Sequence, residues 1–113
     1  MIKTKRIYEK PEDEDGIRIL VYRLWPRGLT KEKVGIDLWL KDITRSTQLR
    51  KWFNHDPEKW NKFKKHYLVE LNENEKSVAI LKEQLTNGDV TLIIVAKDED
   101  HNEALVLKEL FSR

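Results

Sequence analysis

Two short stretches hold the residue types best suited to chemistry. "RLWPRG", residues 23–28, places Arg23, Trp25 and Arg27 around a proline, and "KDEDHN", residues 97–102, brings Lys97, Asp98, His101 and Asn102. An arginine presents a planar fork of donors that matches a carboxylate or a phosphate, and Lys97 adds a compact positive charge. Histidine exchanges a proton near neutral pH, which makes His101 the best candidate for proton transfer. Asp98 and Asn102 could orient a ligand, and Trp25 and Trp39 could wall a pocket. Together these types fit a site for a small phosphate- or carboxylate-bearing molecule, with or without catalysis.

Plainer roles compete for the same residues. Arg23 and Arg27 would pair as well with Asp42, Asp98 or Asp100 in structural salt bridges. The arginines and "KDEDHN" could instead form one buried polar network that fixes the fold. Asp98 or Asp100 is most simply a helix cap. Trp25 suits the core better than a stacking platform. In "NHDPEKW", His55 and Asp56 could make an acid–base pair, but capping by Asp56 accounts for the pattern with less. The lysines of "KWNKFKKH" interleave with Trp60 and Phe63, whose helical spacing assigns the aromatics to the core and Lys59, Lys62 and Lys65 to water.

The elements that must carry these residues follow from patterning. "KTKRIY" (3–8) is a short strand candidate, ended by "EKPEDEDG", which reads as a solvated acidic loop. "IRILVYRL" (17–24) is rich in β-branched residues and predicts a strand that Pro26 and Gly28 stop. "TKEKVGI" is a loop or a short helical turn, and "DLWLKDI" (37–43) is a strand or an extended cover. Leu49, Trp52 and Phe53 mark one helix. Trp60, Phe63, Tyr67 and Leu71 mark a second, with Asp56 and Pro57 at its start. Val78, Leu81 and Leu85 mark a third, which Gly88 ends. "VTLIIVA" (90–96) is almost continuously apolar, as expected of a central parallel strand covered on both faces. A last helix spans about residue 101 to Phe111, with Asp100 and Glu103 as a capping pair.

This order predicts an α/β fold: a small, mostly parallel sheet with helices packed on it, in a single three-layer-like domain over residues 1–113. The loop between the first two strands is too short for a helical crossover, so the first strand is antiparallel to the second or not beside it. Open α/β sheets bind ligands beyond the carboxyl ends of their strands. If the strands at 17–24 and 90–96 are adjacent, "RLWPRG" and "KDEDHN" open on one crevice.

Composition narrows the function classes. The chain has 113 residues, with 22 basic against 20 acidic and a formal charge of +2. That balance disfavours a dedicated nucleic-acid binder. A non-enzymatic module binding protein or nucleic acid through the Lys59–His66 face, with Lys3, Lys5 and Arg6, is the alternative to a ligand pocket. Cysteine is absent, which removes disulfides, thiolate metal sites and any thiol nucleophile. The three histidines show no paired ligand spacing, and "DEDH" lacks the Gly and terminal Glu of a calcium loop. No metal and no cofactor are expected. Residues 1–10 contain no apolar h-region, and no run approaches the roughly 20 apolar residues that span a bilayer. A cytoplasmic protein without membrane contact is expected.

The blocks "DGIRILVYRLWPRG", "DLWLKDI", "STQLRKWFNHDPEKWNKF" and "VTLIIVAKDEDHNEALVLKE" resemble, in order, the small YeaO-like proteins, a domain-of-unknown-function family. The resemblance runs from Ile7 to Glu109. It implies a compact α/β domain and supplies no catalytic assignment. Its pattern is matched by Arg23 to Gly28, by Trp39-Leu40-Lys41, by Arg50 to Phe53 and by His55-Asp56-Pro57. Lys97, Asp98, His101 and Asn102 match the last block. Relatives usually carry an acid where this chain has Tyr22. Tyr22 keeps a hydroxyl but loses the carboxylate, which counts against an acid-dependent activity.

Overall fold

The strand at 90–94 is buried at every position, and the sheet is organised around it. A computed structural model of the chain describes residues 1–112. Its strands are β1 (Ile2–Arg6), β2 (Ile17–Leu20), β3 (Leu38–Trp39) and β4 (Val90–Ile94). Its helices are α1 (Lys31–Val34), α2 (Thr47–Phe53), α3 (Trp60–Glu73), α4 (Glu75–Asn87) and α5 (Glu103–Phe111). The sheet order is β1-β4-β2-β3, and every pairing is parallel. β4 therefore separates β1 from β2, the second of the two arrangements that the short loop allowed. The expected α/β class is the one observed.

Side-chain alternation divides the sheet into unlike faces. Val90, Leu92 and Ile94 of β4 join Ile19 and Val21 in a large core completed by α2, α3, α4 and α5. Ile93 and Leu20 point the other way. They meet Val34 and Ile36 in a smaller core, edged by Trp25 and Trp39. Four helices cover one face, and a loop with the single-turn α1 covers the other.

The polar end of that second face corrects the reading of "EDED" as fully solvated. Asp15 is buried, at 1% exposure. Its carboxylate pairs with Arg18 and with Lys5 at 3.0 Å, and it accepts from the Glu12 amide at 3.1 Å. Arg18 also donates to the carbonyls of Gly35 and Val34. Burial pushes the Asp15 carboxyl up, but the Glu12 amide, Lys5 and Arg18 outweigh it and hold it at about 2. Lys3 and Lys5 project from β1 toward this acid, so neither belongs to a free basic surface.

Gly16 joins this network to β2 with φ +66, and a Cβ there would sit 2.2 Å from the Asp89 carbonyl oxygen. Only glycine allows that approach, which lets the Ile17 amide bond Asp89 and set the register of β2 against β4.

Candidate functional site

Beyond the carboxyl ends of β2 and β4, the sheet and helices leave an open cavity of about 500 Å³. Val21 and Tyr22 enter it from β2, and Ile94, Val95 and Ala96 from β4. Phe53 and Phe63 close the helical side. The polar lining is Arg45, Arg50, His55, Lys97, Asp98 and His101, with Asn102 and Glu103 at the start of α5.

Arg45 is the most enclosed cation of the group. Its side chain is 14% exposed, and its Nε lies 3.6 Å from Glu103, itself 10% exposed. Three side chains fix the backbone that carries it. The Arg45 amide donates to Glu103 at 2.9 Å, and the next amide, Ser46, donates to Glu70 at 2.8 Å. Arg23 reaches across to donate to the carbonyls of Thr44 and Arg45. Ser46 then caps α2 by accepting from the Leu49 amide. Among the described residues, the two terminal nitrogens of Arg45 have no hydrogen-bond partner, so its fork is available to the cavity. Burial pushes the Glu103 carboxyl up to about 7, against the pull of Arg45 and Arg23.

The segment after β4 is held by its own side chains. Asp98 accepts from the amides of Asp100 and His101 and lies 3.0 Å from His101 Nδ1. The Asp100 amide leads the contacts that lower the Asp98 carboxyl below its usual value. The His101 ring packs edge-on against Trp60 at 5.4 Å. Asn102, not Asp100, caps α5: its side chain accepts from the Leu105 amide and donates to the Asp98 carbonyl. Both polar atoms of Asn102 are thereby occupied, and its part is to position the segment. Asp56 caps the 3-10 turn Pro57–Lys59 ahead of α3, as its spacing from Pro57 suggested. His55 has φ 55, a left-handed backbone that few histidines adopt, and it lines the cavity.

Of the residues singled out by sequence, Lys97, Asp98, His101 and Asn102 meet at the cavity and the "RLWPRG" set does not. Arg23 anchors the 44–45 carbonyls. Trp25 donates to the Leu29 carbonyl and packs edge-on against Trp39 at 5.5 Å, in the core of the opposite face. Trp39 donates to the Tyr22 carbonyl. Arg27 is exposed and outside the lining. Neither Arg23 nor Arg27 forms an ion pair among the described residues, so the arginines and "KDEDHN" are not one buried network. Arg45, Arg50 and Glu103 were missed. Glu103 was read only as part of a cap, and its partner Arg45 lies 58 positions away.

A family model described as the inactive DUF488-N3 subclade matches residues 1–113. The chain belongs to this family. It is 42% identical over 108 residues to the uncharacterized protein YeaO of Escherichia coli K12, covering 96% of this chain and 94% of that one. The uncharacterized proteins Mb3100c of Mycobacterium bovis and Rv3073c of Mycobacterium tuberculosis are each 32% identical over 111 residues, 98% of this chain and 93% of theirs. The YeaO-like resemblance is thus borne out over almost the whole length. No solved structure matches.

Proposed function

We propose that the cavity at the carboxyl edge of the sheet binds a small anionic molecule. The observation that carries this reading is the unpartnered fork of Arg45, held inside the cavity by a backbone that Glu103, Glu70 and Arg23 fix. Arg50 and Lys97 add charge at the rim, and His55 adds a ring donor. Asp98 and His101 have the spacing of a proton-transfer pair, which leaves catalysis open to this site. The subclade's description as inactive and the Tyr22 hydroxyl in place of a carboxylate favour binding without turnover. The setting proposed is the cytoplasm; among the described residues no helix is long and apolar enough to cross a membrane.

A thermal-shift screen of carboxylates and phosphates tests this reading, because a ligand bound only by the folded state raises the melting temperature. Wild type should show hits that a folded Arg45→Gln variant loses and Arg27→Ala keeps. Arg45→Gln keeping every hit would refute it.

One observation favours a second reading, an interaction surface for nucleic acid or protein. Trp52 is 39% exposed, with Lys59 Nζ 5.1 Å from its ring and His66 packed at 5.6 Å. Stacking on such an aromatic with nearby cations is how single strands are held. Binding of mixed RNA or DNA that weakens steeply with salt would favour this surface, no salt-sensitive shift would remove its nucleic-acid version, and a pull-down tests the protein version.

A further inference from the structure

The cavity's walls say more about its ligand than its cations do. The inner surface is apolar, from Val21, Phe53, Phe63, Ile94, Val95 and Ala96. At about 500 Å³ it falls within the range of small-molecule sites and could enclose a ring or a branched chain. The fixed charges nearly cancel: Arg45, Arg50 and Lys97 face Asp98 and Glu103, an excess of one positive charge when both acids are ionised. A dianion would gain little from that excess and would lie beside the Asp98 carboxylate and, above about pH 7, that of Glu103 as well.

The backbone also argues against a phosphate. Phosphate sites at helix starts use free amides. Here Asp98 has taken those of Asp100 and His101 and Asn102 has taken that of Leu105, which leaves at the start of α5 only the Glu103 and Ala104 amides, on the residue that carries the Glu103 carboxylate and its neighbour. A planar carboxylate needs less, since one arginine fork satisfies both its oxygens.

We propose that the site selects a monocarboxylate with an apolar body, its carboxylate on the Arg45 fork and its ring or branched chain against Phe53, Phe63 and Val95. This inference rests on the anion-site reading above and narrows it.

Four probes separate the two: phenylacetate, acetate, benzyl phosphate and inorganic phosphate, titrated to millimolar concentration into 15N-labelled full-length protein. Phenylacetate should shift the amides of Arg45 and Val95 to Lys97. Benzyl phosphate and acetate should each bind at least about tenfold more weakly, the first for its charge and the second for its missing apolar body. Arg45→Lys, which keeps the charge and removes the fork, should weaken phenylacetate by about tenfold, and Val95→Asp should abolish it while the spectrum stays folded.

Phosphate probes binding at these residues as tightly as phenylacetate would overturn the inference and leave the anion site standing. Acetate matching phenylacetate would overturn the apolar body. No shift at the cavity with any probe would overturn both readings.

Discussion

Replacing Glu103 by glutamine should make the protein more stable in mild base than wild type, relative to mild acid. The Glu103 carboxyl moves from its usual 4.5 to about 7 in the fold, because burial outweighs Arg45 and Arg23 and Glu70 adds repulsion. A shift of that size separates the two protonation states by roughly 3 kcal/mol. The folded chain holds the proton more tightly than the unfolded one. The resulting stability is therefore fully present below the unfolded value and is lost as pH rises through about 7. Glutamine mimics the protonated acid and keeps an acceptor for the Arg45 amide, so the variant lacks this pH dependence. Urea unfolding of both proteins at about pH 5 and about pH 8 isolates the effect, since the other titrating groups cancel in the difference. The variant's advantage should grow by about 2–3 kcal/mol across that range. A difference that stays flat, or that moves in favour of wild type as pH rises, would refute the account of Glu103.

Asp15→Ala leaves Arg18 and Lys5 without their shared buried partner and should cost about 3–5 kcal/mol in denaturant unfolding. Asn102→Ala removes the α5 cap and the tie to Asp98, for a loss of about 1–2 kcal/mol by thermal melting. Gly16→Ala forces a Cβ into the Asp89 carbonyl from a left-handed backbone and should cost more than about 2 kcal/mol, read as a lowered urea midpoint. If the site binds as proposed, carboxylate affinity should rise as pH falls through about 7, because protonated Glu103 no longer competes for Arg45. The groups around Glu103 that share this balance are Arg45, Arg23, Glu70 and Tyr67. Calorimetric titration across that range, repeated on Glu103→Gln, checks it, since the variant should show a flatter profile.

The frame of the fold was readable because burial leaves a direct trace in composition. The almost continuously apolar run at 90–96 announced a strand covered on both faces, and the Asp56-Pro57 spacing announced the entry to α3. The site was harder because its geometry depends on pairings across the chain. Trp25 and Arg27 follow β2 closely in sequence, yet the chain bends at Arg23 and Leu24 and carries Trp25 to the opposite face. Nothing local to "DITRST" signals that Arg45 will be held by a glutamate 58 residues on. "EDED" misled for a related reason: three of its members are exposed and only Asp15 is drawn inward, by Arg18 and Lys5.

The central place of β4 also constrains how the chain is made. β1 and β2 leave the ribosome early but do not pair with each other; β2 has only the two-residue β3 beside it until β4 arrives, and Ile2 finds its neighbour only with Val90. The helices between them can form locally and even pack, while the sheet they are meant to cover does not yet exist. Pairings of such long separation close slowly and leave strand edges and an apolar helical face uncovered in the meantime. Completion of the sheet is therefore expected to wait for β4, with the greatest exposure to aggregation or chaperone capture just before residue 94 emerges.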